Sequence, residues 1–373
     1  MVLRTAADSP VELYDPISEL ETPAVVVDLD AMERNIEDYA SFADEHGVAL
    51  RSHAKTHKIP ALAHRQHDRT GAGIVCQSLG EVEVFADAGV EDIYLTYMVV
   101  GDSKLDRLVR VSENIQTLQT TVDGPGNIEP LQAAAAREGA TVEAVLEIDI
   151  GLNRVGVAPE DAPEMAEFVA EQPNLDFAGV MAYEGHINGL AESHEEYEQL
   201  CWEAMEDVAG IVDAIEDRGV PVGEVKVGST GTSKHSGKHP VVTEINPGMY
   251  PFNDVGQLHR VSKADCAATV LTSVISAPTD DRVVVDAGSK TMSMDVDRLP
   301  VPKGRDDLDY YNYSEEHGWV DTSAADDDLA VGDRLEFIVP HVCTTINLHD
   351  TLVGVRDGRV EAVWDVAARG KVR

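Results

Sequence analysis

From residue 24 to about residue 250, short apolar runs alternate with stretches whose apolar positions recur every three or four residues. Residues 24–29, AVVVDL, read as a buried strand. Asp30, with Glu33 three residues on, is an Asp variant of the capping box, and Met32, Ile36, Tyr39, Ala40 and Ala43 follow at helical spacing. Further strands are predicted at 48–52, 73–77, 92–96, 117–122, 142–149, 177–183 and 224–227, with helical patterns between them, including 79–88, 128–137 and 192–218. Eight strands, each followed by a helix or loop, predict an α/β fold, a (β/α)8 TIM-type barrel. An open doubly wound sheet is the alternative. No G-x-G-x-x-G follows the first strand, which weakens the dinucleotide-binding version of that alternative.

Beyond about residue 260 the texture becomes β-like, at 267–276, 282–286, 334–339, 350–356 and 359–366. Asp357-Gly358 between the last two segments is a two-residue hairpin signal. The expected division is a cofactor-binding barrel over 20–260 and an antiparallel β domain formed by 1–19 and 261–373. Residues 300–330 are Asp-rich with few apolar anchors and read as an exposed excursion.

Charge changes the picture of the partners. The 373 residues carry 68 acidic and 29 Lys or Arg side chains, a net charge of −39 spread over the whole chain. Such a surface disfavours nucleic acid and anionic membranes, because phosphate contacts need cations. Ordinary apolar content contradicts a disordered solvating chain, so a folded protein working at high salt is expected, where screening shortens self-repulsion. No apolar run reaches the length of a membrane span, and the N-terminus has no signal-type core, so a cytoplasmic location is expected. The four cysteines are far apart with no CxxC pair, which speaks against a disulfide framework.

Three clusters carry candidate chemistry. The segment from Arg51 to Lys58, RSHAKTHK, follows a strand and concentrates two lysines and two histidines in an acidic chain. It reads either as a surface loop offsetting carboxylates or as a desolvated Lys55 able to condense with an aldehyde cofactor. Val227-Gly228-Ser229-Thr230-Gly231-Thr232 and Asn246-Pro247-Gly248-Met249-Tyr250 are turns after late strands that can offer N–H and hydroxyl donors to a phosphate. His341-Val342-Cys343 offers one imidazole and one thiol two residues apart, which suits either a borderline divalent ion such as Zn²⁺ or ordinary core packing. Two ligands leave positions open for water and substrate, the catalytic arrangement.

The motifs Thr22-Pro23-Ala24, Val27-Asp28-Leu29-Asp30 and His53-Ala54-Lys55-Thr56-His57-Lys58 resemble the start of the D-threonine aldolase and D-serine dehydratase family, alanine-racemase-like enzymes of fold type III that use pyridoxal 5′-phosphate (PLP). The resemblance continues in order through Gly228–Thr232, Pro247-Gly248-Met249-Tyr250, Asp286-Ala287-Gly288-Ser289-Lys290, Ser314-Glu315-Glu316-His317-Gly318 and Pro340-His341-Val342-Cys343. It implies that Lys55 carries PLP, that Ser229, Thr230, Gly231 and Thr232 with Gly248 and Tyr250 cradle its phosphate, and that Arg154 lies near its pyridine nitrogen. His53 and Tyr183 are grouped with these cofactor-binding residues. His341 and Cys343 are implied as ligands of a divalent metal (Zn, Mn or Mg). The substrates implied are D-3-hydroxy amino acids, and the assembly a homodimer.

Two lyase reactions follow from the resemblance. Retro-aldol cleavage to glycine and an aldehyde needs a base for the 3-hydroxyl proton, with His186 the candidate and Glu184 beside it. Dehydration to a keto acid and ammonia needs Lys55 to take the Cα proton. The reading favours retro-aldol cleavage, although Cys343 departs from the His-x-Asp pair of the resembled aldolases and matches the His-x-Cys of the dehydratases. Racemisation needs no metal pair, and non-catalytic PLP-binding barrels lack a C-terminal β domain. Glu147 and Asp149, alternating on one strand, read as pore-side packing or as chemistry.

Overall fold

Residues 49–53 explain how the parallel sheet closes. In this computed structural model, which describes residues 13–191 and 193–373, the segment breaks at Arg51 into two short strands. Ala49–Leu50 pairs with Glu244–Ile245, and Ser52–His53 pairs with Ile74–Cys76. The two ends of the sheet are thus halves of one segment, which brings the barrel round on itself. Asp92–Leu95, Thr117–Val122, Val142–Ile148, Leu175–Ala182 and Glu224–Val227 complete it, every pairing parallel. Helices alternate with the strands, as parallel crossovers require.

The barrel interior is partly apolar and partly ionic. Val75, Tyr94, Val145 and Met181 form one buried cluster. Fully buried Lys226 sits 2.9 Å from Glu244 and 2.7 Å from Glu224, and Arg51 bonds Glu244 at 2.8 Å and Asp92 at 2.5 Å. Asp92 and Glu224 begin their strands, so these ions belong to the N-terminal side of the sheet and leave the C-terminal strand ends for chemistry.

Two compact units divide the chain. One comprises residues 38–55, 62–248 and 371–373, the barrel; the other comprises residues up to 37, 56–61 and 249–370. The strand Ala24–Asp28, expected to open the barrel, belongs to the second unit. It pairs antiparallel with Ala268–Thr279 and parallel with Thr351–Arg356. Its side chains account for this: Val26 packs with Leu20, Leu271, Val353, Val360 and Val363, all of that sheet or its approach. The eighth barrel strand is instead the two-residue Glu244–Ile245, which carries no apolar pattern of its own.

The second unit holds a mostly antiparallel sheet in the order Asp309–Tyr313, Gly318–Asp321, Arg282–Val285, Ala268–Thr279, Ala24–Asp28, Thr351–Arg356, Arg359–Asp365. The expected hairpin is present: Asp357 and Gly358 both have positive φ, 49° and 70°, and Arg356 faces Arg359. Residues 300–330 are not simply an exposed excursion. They add the Asp309–Tyr313 and Gly318–Asp321 strands, and Tyr310 and Val320 are buried. Residues 1–12 of the expected N-terminal piece and Glu192 at the start of the expected long helix lie outside the described residues. Among the described residues no helix is long and apolar enough to cross a membrane, and all four cysteines are free thiols.

Candidate active site

Lys55 follows the Ser52–His53 strand, so the fold sets it at a C-terminal strand end. It is half-buried, and its Nζ donates to Gln77 Oε1 at 3.3 Å. The same oxygen lies 3.2 Å from His53 Nε2 and receives Thr96 Oγ1 at 3.4 Å. Gln77 is itself fixed, donating from Nε2 to the Thr96 carbonyl at 2.8 Å and from its backbone N–H to Glu81 Oε2 at 2.7 Å. Lys55, His53, Gln77 and Thr96 therefore form one polar cluster on three consecutive strand ends. Gln77 and Thr96 escape a reading of the sequence because single polar residues after strands carry no motif.

The loop 228–236 follows the Glu224–Val227 strand. Gly228 has φ 107°, and a Cβ there would meet Ser233 Cβ at 3.0 Å, so the turn requires glycine. Buried Glu184 fixes this loop, accepting from Gly228 N at 3.0 Å and from Ser236 Oγ at 2.7 Å. Tyr39 Oη donates to the Thr230 carbonyl at 2.6 Å. Ser229 and Thr232 hydroxyls meet at 3.0 Å. Burial pushes the Glu184 carboxyl above its ordinary range despite these donors. Glu184 is thus a fixed element of the loop. Gly248 is in the barrel unit; Tyr250 is fully buried in the other unit.

The 149–156 loop carries Arg154. Asp149 Oδ1 accepts from Gly151 N at 3.0 Å and from Asn153 N at 2.9 Å, and Asp123 accepts from Gly156 N at 3.1 Å. Asp149 is accounted for by this turn. Arg154 lies 3.6 Å from Glu147 and places its guanidinium over the Tyr183 ring, 5.0 Å from the centroid. Burial raises the Glu147 carboxyl to about 7, against the opposing pull of Arg154. His186 packs on the same loop: a Cβ at Gly151 would stand 3.0 Å from its Nε2, and its buried Nδ1 has no hydrogen-bond partner.

In the other unit, His341 and Cys343 lie where the Arg334–Ile338 strand gives way to the helix Val342–Asn347. Asp254, buried, accepts from Val342 N at 3.0 Å and from Gly256 N at 2.9 Å, tying down the turn. Asp295 Oδ2 lies 2.8 Å from His341 Nδ1. Cys343 Sγ lies 3.2 Å from Thr56 Oγ1, and Thr56 follows Lys55 in the sequence. Hydrogen bonding to Cys343, joined by Asp295, raises His341 to about 9. Among the described residues no group of three or more His, Cys, Asp or Glu side chains is set to enclose an ion.

The family model described as alanine racemase, N-terminal domain, matches residues 27–254. The chain belongs to the alanine-racemase-like, fold-type III family. A serine dehydratase domain model matches residues 267–355, which lie in the second unit. The 3-hydroxy-D-aspartate aldolase of Paracoccus denitrificans is 38% identical over 365 residues, 95% of this chain and 93% of the relative. The D-threonine aldolase of Arthrobacter is 32% identical over 98% of this chain and 97% of the relative. Among solved structures, D-threonine aldolase from Filomicrobium marinum superposes with a TM-score of 0.91 at 34% identity, covering 98% of this chain and 100% of that one. D-threo-3-hydroxyaspartate dehydratase from Delftia gives 0.85 at 26% identity, covering 94% and 98%.

The family is PLP-dependent, and the residues present fit that cofactor. The buried Ser233 hydroxyl has no protein partner, in a loop of hydroxyls and N–H groups shaped by a required glycine, a donor set suited to phosphate. The Lys55 amine and the Arg154 guanidinium are groups of the kind that would suit the aldehyde and the ring of that cofactor. The donor set of His341 and Cys343 fits a borderline divalent cation with positions left over.

Proposed function

We propose that this protein is a PLP- and divalent-metal-dependent lyase that cleaves D-3-hydroxy amino acids into glycine and an aldehyde. The observation that carries the reading is the fixed pair of His341 and Cys343, held by Asp295, Asp254 and Thr56, with Thr56 next to Lys55 in sequence. A racemase has no use for such a pair. The 3-hydroxy-D-aspartate and D-threonine aldolases at 38% and 32% identity support cleavage of the Cα–Cβ bond.

PLP would be held by Lys55, by the hydroxyls of Ser229, Thr230, Thr232 and Ser233, and by Arg154; when bound it supplies an electron sink for the bonds at Cα. His341 and Cys343 would hold the cation, which supplies a Lewis acid for the substrate 3-hydroxyl. His186 takes the proton of that hydroxyl as Cα–Cβ breaks. Its Nε2 lies against Gly151, and its buried Nδ1 has no protein partner. Gln77 orients the Lys55 amine.

Dehydration is the second reading. Cys343 favours it, since the resembled dehydratases carry His-x-Cys, and a D-threo-3-hydroxyaspartate dehydratase has been solved as a cysteine-to-alanine mutant in the metal-free form. Identifying the carbon products formed from D-3-hydroxyaspartate and D-threonine tests the two readings against each other.

A further inference from the structure

The surroundings of Asp295 are more elaborate than those of an ordinary surface carboxylate. Its two oxygens are both used. Oδ1 accepts from Thr344 Oγ1 at 2.8 Å and from Ser293 Oγ at 2.9 Å. Oδ2 meets His341 Nδ1 at 2.8 Å. Ser293 is a non-glycine residue at φ 44°, a strained backbone conformation that persists only where the surroundings impose it. Thr344 lies in the same helical turn as the proposed ligands, so the turn and the Ser293–Asp295 segment are clamped through this one carboxylate.

We propose that Asp295 is the positioning residue of His341, accepting a hydrogen bond from Nδ1 so that Nε2 is the nitrogen presented to a divalent cation. A ligating histidine has two ring nitrogens, and the partner of one fixes the tautomer and orientation of the other. With Oδ2 on Nδ1 and Oδ1 held by two hydroxyls, Asp295 acts through His341. This inference rests on the reading of His341 and Cys343 as ligands.

The test is titration of PLP-loaded, chelator-stripped enzyme with Mn²⁺ alone, followed calorimetrically, for wild type, His341→Ala, Asp295→Ala and Asp295→Asn. The PLP absorbance of each variant checks that the fold is kept. Asp295→Ala is expected to bind Mn²⁺ about 10- to 100-fold more weakly, the usual effect of losing such a partner. Asn also accepts a hydrogen bond from Nδ1, so Asp295→Asn is expected to recover part of that loss. At saturating Mn²⁺ the Asp295→Asn enzyme should regain most of its turnover. Wild-type affinity in Asp295→Ala beside a weakened His341→Ala overturns the inference and leaves the metal reading standing. An Asp295→Asn variant no better than Asp295→Ala also overturns it, and points to direct ligation by Asp295. Wild-type affinity in His341→Ala overturns the metal reading and the inference with it.

Discussion

Thr56 Oγ1 lies 3.2 Å from Cys343 Sγ, and Thr56 is the residue after Lys55. Thr56 is fully buried, so its hydroxyl has few other uses. Thr56→Val keeps the shape and removes the hydrogen bond. A neutral hydrogen bond contributes about 1 kcal/mol, so Mn²⁺ binding should weaken about fivefold while the PLP absorbance stays. Calorimetric titration reads this; unchanged affinity would mean that the thiol is not a ligand oriented by Thr56.

Lys55 should carry the cofactor. The purified protein is expected to absorb in the visible band of lysine-bound PLP, and Lys55→Ala should lose that band. An unchanged spectrum would assign the attachment elsewhere.

Glu184 holds the phosphate-type loop by two donors. Glu184→Ala leaves the Gly228 N–H and the Ser236 hydroxyl unpaired in a buried place, which costs roughly 2–4 kcal/mol. Glu184→Gln should be much milder, because burial already drives this carboxyl toward its neutral form. Urea unfolding measures both, and PLP affinity should fall in the same order. Equal stability of the two variants would refute the assignment.

Glu147 gives a pH signature. Its carboxyl is raised by burial from 4.5 to about 7, above the unfolded value. The folded state then holds the proton more tightly, so this stabilisation is complete below about pH 4 and is lost as pH climbs to 7. In the cofactor-free protein, Glu147→Gln should gain on wild type between pH 5 and pH 7.5 by up to roughly 3 kcal/mol. Parallel stability curves for the two proteins would contradict this.

Much of the fold is written in local patterns. Seven barrel strands, the Asp357-Gly358 hairpin and the β-rich C-terminal part follow from alternation and turn residues that act over a few positions. The strand Ala24–Asp28 deceives because an apolar run followed by a helix looks the same in a βα unit and in the middle of a mixed sheet. Only partners some 240 and 330 residues away, such as Leu271 and Val353, decide it. The strand Glu244–Ile245 is too short to have a pattern, and the short strand Asp309–Tyr313 buries only Tyr310.

The site divides in the same way. Lys55, the Gly228–Thr232 loop, Arg154 and the His341–Cys343 pair stand out as motifs. Gln77, Thr96, Asp254 and Asp295 do not, because each serves by touching a residue distant in sequence.

Product analysis tests the central claim most directly. PLP- and Mn²⁺-loaded enzyme is incubated with D-3-hydroxyaspartate and, separately, with D-threonine. Retro-aldol cleavage predicts glycine in both, with glyoxylate from the first and acetaldehyde from the second. Ammonia with oxaloacetate or 2-oxobutanoate, and no glycine, would contradict it and make the protein a dehydratase.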